Sequence, residues 1–300
     1  MARRPAIRSL AFRHGQNPAL GFEILRLSTL FERFERDLAG HAPEAPQRPE
    51  FHTIYLGLRG HSRIFVDFQP VPIGAHTLTF VARGRVQQFA PERGVDAWML
   101  LFAPEFLVAG AAPDPLVLPA TLSPSWPTPA ITVAPAEARE LLALADQLDA
   151  EHARPPDALQ PWLLAALLRV VLLRAERLIE RAPPLPAALQ RFFTILEADH
   201  ATTRSVAHYA RRAGISPRRL AELLHAHAGK PTKQVIDERV ILEHKRLLVH
   251  SELSVKELAA RTGFAEPTNL VKFFRHHTRT TPLEFRERHL RGFLPSRRRS

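Results

Sequence analysis

The amino-acid sequence predicts an α+β fold with two domains, the first rich in β-strands and the second all-helical. Short runs of β-forming residues separated by Gly and Pro turns fill residues 51–107, as is typical of β-structure. Apolar residues recur at helical spacing after residue 136, and one helical segment is repeated about 50 residues later. A length of 300 residues suits two domains.

The β-rich part contains five predicted strands with turns between them. The predicted strands are Thr53–Leu58, Ser62–Phe68, Thr77–Val81, Val86–Phe89 and Ala97–Phe102. Residues 69–74 contain Pro70, Pro72 and Gly74, and we interpret them as a turn. Short strands separated by turns at such close intervals indicate a small barrel or sandwich.

Two helices are predicted next, over Ala136–Glu151 and Ala158–Arg181. The second is apolar around most of its circumference, which is more than a surface helix needs. Arg169 interrupts its apolar runs, so they are too short to cross a bilayer. We therefore expect this helix to pack on the first one and on a second copy of the chain, forming a homodimer. Aspartate at Leu167 and Val171 is then expected to give monomers.

The all-helical part contains a duplicated unit. The shared residues are spaced 49 positions apart before a turn and 50 positions apart after it. They are Val206/Val255, Ala210/Ala259, Arg212/Arg261, Gly214/Gly263, Leu220/Leu270, Leu223/Phe273 and Leu224/Phe274. A match at so many fixed spacings indicates that one structural unit occurs twice.

Each copy has the order short helix, tight turn, second helix. In the second copy, Ser254 and Glu257 have the spacing of a capping box and predict a helix start. Gly263 suits a sharp turn with positive φ. A further helix is predicted from about Glu266, with Pro267 in its first turn. This arrangement is that of a helix-turn-helix, whose second helix enters the major groove of DNA.

Between the copies, residues 232–250 are predicted to form one long helix. Its apolar positions recur at helical spacing, and its length corresponds to about 28 Å at a rise of about 1.5 Å per residue. Successive major grooves on one face of DNA are about 34 Å apart. A rigid helix of this length can therefore hold two recognition helices in adjacent grooves.

The positive charge of the chain is concentrated in its second part. Residues 1–180 contain 18 Lys and Arg against 19 Asp and Glu, whereas residues 181–300 contain 23 against 11. A near-neutral first part followed by a strongly basic helical part indicates nucleic-acid binding. The chain has no cysteine, which excludes disulfides and thiol chemistry. Its N-terminus lacks the apolar core of a secretion signal, so we expect a cytoplasmic protein.

Residues 186–291 resemble the DNA-binding domain of AraC-type bacterial transcription regulators. The motifs that carry the resemblance are Ala259…Gly263-Phe264, Phe273-Phe274-Arg275, Thr280-Thr281-Pro282 and Phe285-Arg286, with Ala210, Gly214, Ser216-Pro217, Leu220 and Gly229 in the first copy. Two residues depart from the family pattern: Arg279 stands at a usual glycine, and Leu270 stands where an aromatic is common. The resemblance implies a sequence-specific transcription regulator that binds double-stranded DNA, with RNA polymerase as a further partner if it is an activator.

The β-rich part is similar to the cupin-like sensory domain found in the same regulators. The matching residues are Gly60-x-Ser62, Val66-Asp67-Phe68, Gly74 and Thr77-Leu78-x-Phe80. This resemblance implies that the domain senses a small-molecule effector, whose binding residues the sequence does not identify. His52, His61 and His76 lack the close spacing of metal ligands. We therefore expect no metal, no cofactor and no catalytic residues.

The outward positions that the family uses imply which residues contact DNA. Those expected to face bases are Arg218, Ala221 and Glu222 in the first copy and Thr268, Asn269 and Lys272 in the second. By their hydrogen-bonding groups, Arg218 suits guanine, Glu222 suits cytosine and Asn269 suits adenine. Those expected to contact phosphates, which position the protein without specifying sequence, are Arg219, Lys230 and Arg275.

These predictions divide the chain into three parts. They are a cupin-like effector-sensing and dimerisation domain at residues 1–182 (β part about 20–133, helices about 134–181), a linker at 183–187, and a double helix-turn-helix domain at 188–300. Two other classes stay open. One is a cupin-like enzyme or carbohydrate-binding module with a basic helical appendage, and the other is a nucleoid-type protein that binds DNA without sequence preference.

Overall fold

The computed structural model describes residues 8–10, 20–36, 45–89, 94–108, 130–178 and 186–292. The chain forms two compact units, one within residues 7–184 and the other from residue 185 onward. The described part of the first unit contains the β-sheets, and that of the second contains helices. The predicted α+β fold class is therefore confirmed. Most of the predicted linker at residues 183–187 lies outside the described residues.

Ten strands form two five-stranded sheets in the described part of the first unit. They are β1 (Arg8–Leu10), β2 (Phe22–Arg26), β3 (Gln47–Pro49), β4 (His52–Arg59), β5 (His61–Val66), β6 (Gln69–Gly74), β7 (Thr77–Val81), β8 (Gln87–Phe89), β9 (Asp96–Phe102) and β10 (Ala130–Thr132). One sheet has the order β1-β3-β8-β5-β6, and the other has the order β10-β7-β4-β9-β2. Neighbouring strands are antiparallel, except that β1 and β3 are parallel. The five predicted strands are present, with ends shifted by at most two residues.

Strand β6 shows that the predicted turn at residues 69–74 is wrong. The turn consists of only two residues, Asp67 and Phe68, whose φ angles are 48° and 71°, as in a type I′ hairpin. Pro70 and Pro72 lie within β6. Proline is tolerated there because β6 is at the edge of its sheet, where a residue on the open side needs no N–H for the ladder.

The sheet that contains β4 and β9 is buried on both faces. On one face, side chains such as Tyr55 and Met99 pack against the other sheet. On the opposite face, Ile54 and Leu100 pack against helices α3 (Pro135–His152) and α4 (Gln160–Leu178). All seven residues of β9 are buried, which explains why its sequence is almost continuously apolar. The described part of this unit is therefore a β-sandwich with helices packed on one sheet. It also contains α1 (Leu27–Arg36) and α2 (Pro104–Val108).

Helix α4 buries one side in its own unit and exposes apolar residues on another. Leu164, Leu168 and Val171 are fully buried against α3 and the sheet, so the predicted packing of the two helices is confirmed. The prediction that aspartate at Val171 would separate two subunits is wrong, because a charge there would disrupt the core of its own unit. The last three residues of the predicted helix, 179–181, lie outside the described residues.

Seven helices form the described part of the second unit. They are α5 (Ala187–Asp199), α6 (Val206–Arg212), α7 (Pro217–Ala228), α8 (Thr232–His250), α9 (Val255–Arg261), α10 (Pro267–Thr278) and α11 (Pro282–Gly292). Helices α6 and α7 form the first predicted helix-turn-helix, and α9 and α10 form the second. Helix α8 connects them with the predicted bounds.

The turn glycines, the capping box and the first-turn proline that predicted these helices have the expected geometry. Gly214 and Gly263 turn the chain with φ angles of 75° and 72°. The capping box at the start of α9 is confirmed. The hydroxyl of Ser254 accepts the backbone N–H of Glu257 at 3.2 Å, and the Glu257 carboxylate accepts the backbone N–H of Ser254 at 2.7 Å. Pro267 is the first residue of α10, where a missing N–H costs nothing.

Arg279 adopts the conformation that a glycine adopts in the first copy. Gly229 follows α7 with a φ of 63°, and Arg279, fifty positions later, follows α10 with a φ of 61°. The backbone N–H of each donates to a carbonyl four residues earlier, on His225 and Arg275. The missing glycine therefore leaves the turn before α11 intact. It forces an L-residue into the left-handed region, which costs about 1–2 kcal/mol.

We expect Arg279→Gly to raise the free energy of unfolding by about 0.5–1 kcal/mol. Relief of the left-handed strain exceeds the about 0.5–1 kcal/mol that glycine loses through its greater freedom in the unfolded chain. Urea unfolding followed by far-UV circular dichroism measures the change. Gly229→Ala is the matched control: no described atom lies within 4 Å of the added Cβ, so backbone strain alone should lower stability by about 1 kcal/mol. A variant no more stable than the parent would refute the strain at Arg279.

Candidate nucleic-acid interface

Helix α7 is held through one face and exposes the other. Its buried residues are Leu220, Leu223 and Leu224. Ser216 caps its first turn by accepting the backbone N–H of Arg219 at 3.1 Å. The three residues predicted to face bases, Arg218, Ala221 and Glu222, are exposed. They therefore lie where a groove-bound helix needs them, and their contacts with DNA stay a prediction.

Helix α10 is arranged in the same way in the second copy. Leu270 and Phe274 are buried, and the half-buried ring of Phe273 packs at 5.4 Å from that of Phe264. Its predicted base-facing residues, Thr268, Asn269 and Lys272, are exposed. Each copy thus presents three of the six predicted residues on the outer face of its second helix.

A buried histidine of α8 supports the second copy. The ring of His244 lies 5.4 Å from that of Phe264. The hydroxyl of Thr262 donates to the carbonyl of Leu258 at 2.7 Å, so its oxygen accepts Nε2–H of His244 at 2.8 Å. Burial, and then the nearby guanidinium of Arg204, lower the pKa of His244 to about 3. The imidazole is therefore neutral in the folded protein at physiological pH.

Arginines of α8 connect it to α5, which packs against the first copy. Arg239 donates to both carboxylate oxygens of Glu197 on α5 at 3.0 Å, and to Glu243 at 3.3 Å. Arg246 is only 1% exposed and pairs with Glu243 at 3.3 Å. Guanidinium groups this deeply buried need partners, because removing one partner of a buried ion pair costs about 3–5 kcal/mol.

The Phe285-Arg286 motif fixes α11 to the end of α8. The guanidinium of Arg286 donates to the carbonyl of Leu248 at 2.8 Å and to that of Leu253. Leu248 is in the last turn of α8, where backbone carbonyls have no partner within the helix. The ring of Phe285 lies 5.5 Å from that of Phe274 in α10. The motif therefore supports α10 from behind and lies on the side opposite its exposed face.

The cations predicted to contact phosphates differ in their present partners. Arg275 is exposed, Arg219 is exposed but pairs with Glu222, and Lys230 pairs with Glu238 at 2.8 Å. Arg218 and Arg219 both donate to the carboxylate of Glu222, each at 3.2 Å. The sequence prediction missed this shared carboxylate. The i, i+4 spacing of Arg218 and Glu222 was the signal that could have found it.

Across the described parts of both units, no group of three or more His, Asp or Glu side chains is placed to hold a metal ion. His52 is buried, and its Nδ1 accepts the backbone N–H of Arg83 at 3.3 Å. None of the described helices is both long enough and apolar enough to cross a membrane.

Two helix-turn-helix units flank one connecting helix, and this part of the chain is similar to known helix-turn-helix proteins. Residues 209–288 match the family described as "Helix-turn-helix domain". The chain is 34% identical over 114 residues to HTH-type transcriptional regulator GlxA of Rhizobium meliloti (strain 1021), covering 38% of this chain and 34% of GlxA. It is 28% identical over 151 residues to HTH-type transcriptional activator RhaS of Salmonella schwarzengrund (strain CVM19633), covering 50% of this chain and 54% of RhaS.

A solved structure of a transcriptional regulator from Chromobacterium violaceum, described as containing an AraC-type DNA-binding domain, is 23% identical to this chain. The match covers 34% of this chain and 90% of the regulator's chain, with a TM-score of 0.32. The chain matches between a third and about half of the length of the two curated relatives. Residues 209–288 of this chain thus match the helix-turn-helix family.

Acid is expected to destabilise the second unit through His244. Its pKa in the folded state is about 3 and its ordinary value is 6.5, so stability is full above about pH 6.5 and is lost as the pH falls below it. Between pH 7 and pH 5 the loss is about 2 kcal/mol. In His244→Gln an amide replaces the imidazole, so this loss of stability should vanish. The pKa values of His200 and His277 are also lowered, but these two residues contribute equally in the parent and in the variant.

Amide hydrogen exchange of residues 255–278 at pH 7 and pH 5 measures this difference. His52→Gln is the matched control, because burial lowers the pKa of His52 to about 3 in the other unit. That variant should change the pH response of the β-sandwich amides and leave residues 255–278 as in the parent. An equal acid-induced loss in the parent and in His244→Gln would show that His244 is not the responsible group.

Proposed function

We propose that this chain is a sequence-specific, DNA-binding transcription regulator that acts in the cytoplasm and senses a small molecule through its N-terminal domain. The observation that carries the proposal is the pair of exposed recognition helices, α7 and α10, on either side of α8. Helix α8 has 19 residues, or about 28 Å, which is suited to adjacent major grooves about 34 Å apart. RNA polymerase is a further partner if the protein activates transcription.

Base reading is assigned to the exposed residues of α7 and α10, and backbone contact to the cations beside them. The proposed base-facing residues are Arg218, Ala221, Glu222, Thr268, Asn269 and Lys272, and the proposed phosphate contacts are Arg219, Lys230 and Arg275. The ordered polar faces favour sequence reading over a nucleoid-type protein, which needs only cations at the backbone. The β-sandwich supports effector sensing through its similarity to cupin-like sensors; the enzyme and carbohydrate-binding alternatives have no constellation of described residues in their favour.

Three alanine variants of the full chain distinguish residues that contact bases from residues that contact phosphates. Arg218→Ala and Asn269→Ala should each cost about 1–3 kcal/mol on the preferred site and relax preference at different base pairs, about one helical turn apart. Arg275→Ala is the control: it should weaken all sequences alike and reduce the slope of log affinity against log salt by about one. Selection from a randomised duplex library, with titrations at several salt concentrations, gives both readouts. If the first two variants weaken every sequence equally, the nucleoid-type alternative is favoured.

We also propose that the chain is a homodimer through α4. Exposed apolar residues just before and along α4 recur at alternating spacings of four and three, as in a coiled-coil seam; they are Leu159, Leu163, Ala166, Val170 and Leu173. The exposed Trp162 lies next to Leu163. Leu159, Leu163, Val170 and Leu173 are 39–66% exposed, which is unusual for large apolar side chains arranged in a continuous stripe.

The seam is symmetric about position 168, which favours a second copy of the chain as its partner. Leu163 and Leu173 lie five positions on either side, and Ala166 and Val170 lie two positions on either side. In an antiparallel pair, Leu163 would therefore meet the partner's Leu173, and Ala166 would meet the partner's Val170. Such self-complementarity is what a two-fold symmetric interface requires.

Leu163→Asp combined with Leu173→Asp is expected to convert the dimer into a monomer, because two charges would be buried at the pairing surface. Sedimentation equilibrium measures the mass, and circular dichroism checks that the β-sandwich stays folded. Ala143→Asp, on the exposed side of α3, is the matched control and should stay dimeric. A parent protein that sediments as a monomer would contradict the proposed dimer.

A further inference from the structure

The equivalent positions of the two recognition helices carry opposite charges. Glu222 of α7 and Lys272 of α10 lie fifty residues apart in the duplicated unit, and both are exposed. Helix α7 contains two arginines and one glutamate, whereas α10 contains Lys272 and Arg275 and no acidic residue. The two copies therefore differ in how the negatively charged DNA backbone would act on them.

Glu222 is the centre of a cluster that occupies both arginines of α7. Its carboxylate accepts Nε of Arg218 and a terminal guanidinium nitrogen of Arg219, each at 3.2 Å. These side chains are 90%, 59% and 48% exposed for Arg218, Arg219 and Glu222. Exposed pairs of this kind are worth at most about 1 kcal/mol, so DNA can break them. Until it does, each arginine has a partner that competes with DNA.

We infer that Glu222 makes α7 the more selective helix of the pair, by releasing Arg218 and Arg219 only when a cytosine faces its carboxylate. This inference rests on the proposed function, since it assumes that α7 enters the major groove. A carboxylate in the groove is repelled by phosphates, and only a base donor can offset that repulsion. Cytosine offers its N4 amine there, whereas adenine places the acceptor N7 beside its amine.

The release of Glu222 has a consequence for both arginines. When the carboxylate accepts from cytosine N4, Arg218 is free to donate to guanine O6 and N7, and Arg219 to a phosphate. On other sequences the carboxylate stays on the arginines, and α7 contributes little. Helix α10 carries Lys272 at the equivalent position, with no ion-pair partner among the described residues, so this cation is available on DNA of any sequence. The cations of α7 are therefore released only on certain sequences, whereas the Lys272 cation of α10 is available on all of them.

The test is a comparison of Glu222→Ala and Glu222→Gln in the full chain. Glu222→Ala should bind random-sequence duplex about 3–10-fold more tightly, with a salt slope steeper by about one, because Arg219 becomes available to phosphate. In library selection it should lose the preference for cytosine at one base pair. Glu222→Gln should prefer adenine at that same base pair, because glutamine donates to N7 and accepts from N6.

Arg275→Ala is the control in the other copy. It should weaken random and selected duplexes by the same factor and make the salt slope shallower by about one. If Glu222→Ala weakens binding to all sequences, or leaves the selected base unchanged, Glu222 does not select. A parent protein without any sequence preference would instead overturn the proposed function, so the two failures are distinguishable. Circular dichroism of each variant excludes a loss of helix.

Discussion

The C-terminal unit depends on the packing of side chains onto α8, which supports both recognition helices. The first copy is tied to it through α5, by the buried Arg239 and its bond to Glu197. The second copy packs its aromatic residues around His244, and α11 is bound to the last turn of α8 by Arg286. Buried polar groups need hydrogen-bond partners, so removing either partner of such a contact would destabilise the unit. The two exposed faces thus have a common rigid support.

The buried polar groups of α8 are stabilised in two different ways. Arg239 and Arg246 keep their charge and share Glu243, and Arg239 has a second carboxylate partner, Glu197 of α5. His244 is between them in sequence and is neutral, held by one hydrogen bond to Thr262. The guanidinium of Arg204 covers Phe264, 3.8 Å from its ring centroid, a favourable cation–π contact. A second positive charge on His244 would have to form beside that guanidinium.

Much of the C-terminal fold could be predicted from sequence because its signals are local. Capping residues predict the helix start at Ser254, glycine predicts the turn at Gly263, and apolar spacing predicts the whole of α8. Because the unit is duplicated, the prediction for one copy supports the prediction for the other. The β-sandwich was harder, since Pro70 and Pro72 indicate a turn unless it is known that their strand is at a sheet edge. For α4, the apolar pattern could not separate Val171, which is buried, from Val170, which is exposed. Only tertiary packing assigns neighbouring residues to different sides of a helix.

The sheet formed by β10, β7, β4, β9 and β2 packs against a different hydrophobic core on each face. Successive residues of β4 alternate between them: Tyr55 faces the other sheet, and Ile54 faces α3 and α4. Protein cores are close-packed and transmit displacement with little loss. A molecule that spread the two sheets would therefore shift the surface on which α4 lies. The position of α4 is therefore coupled to the packing between the two sheets.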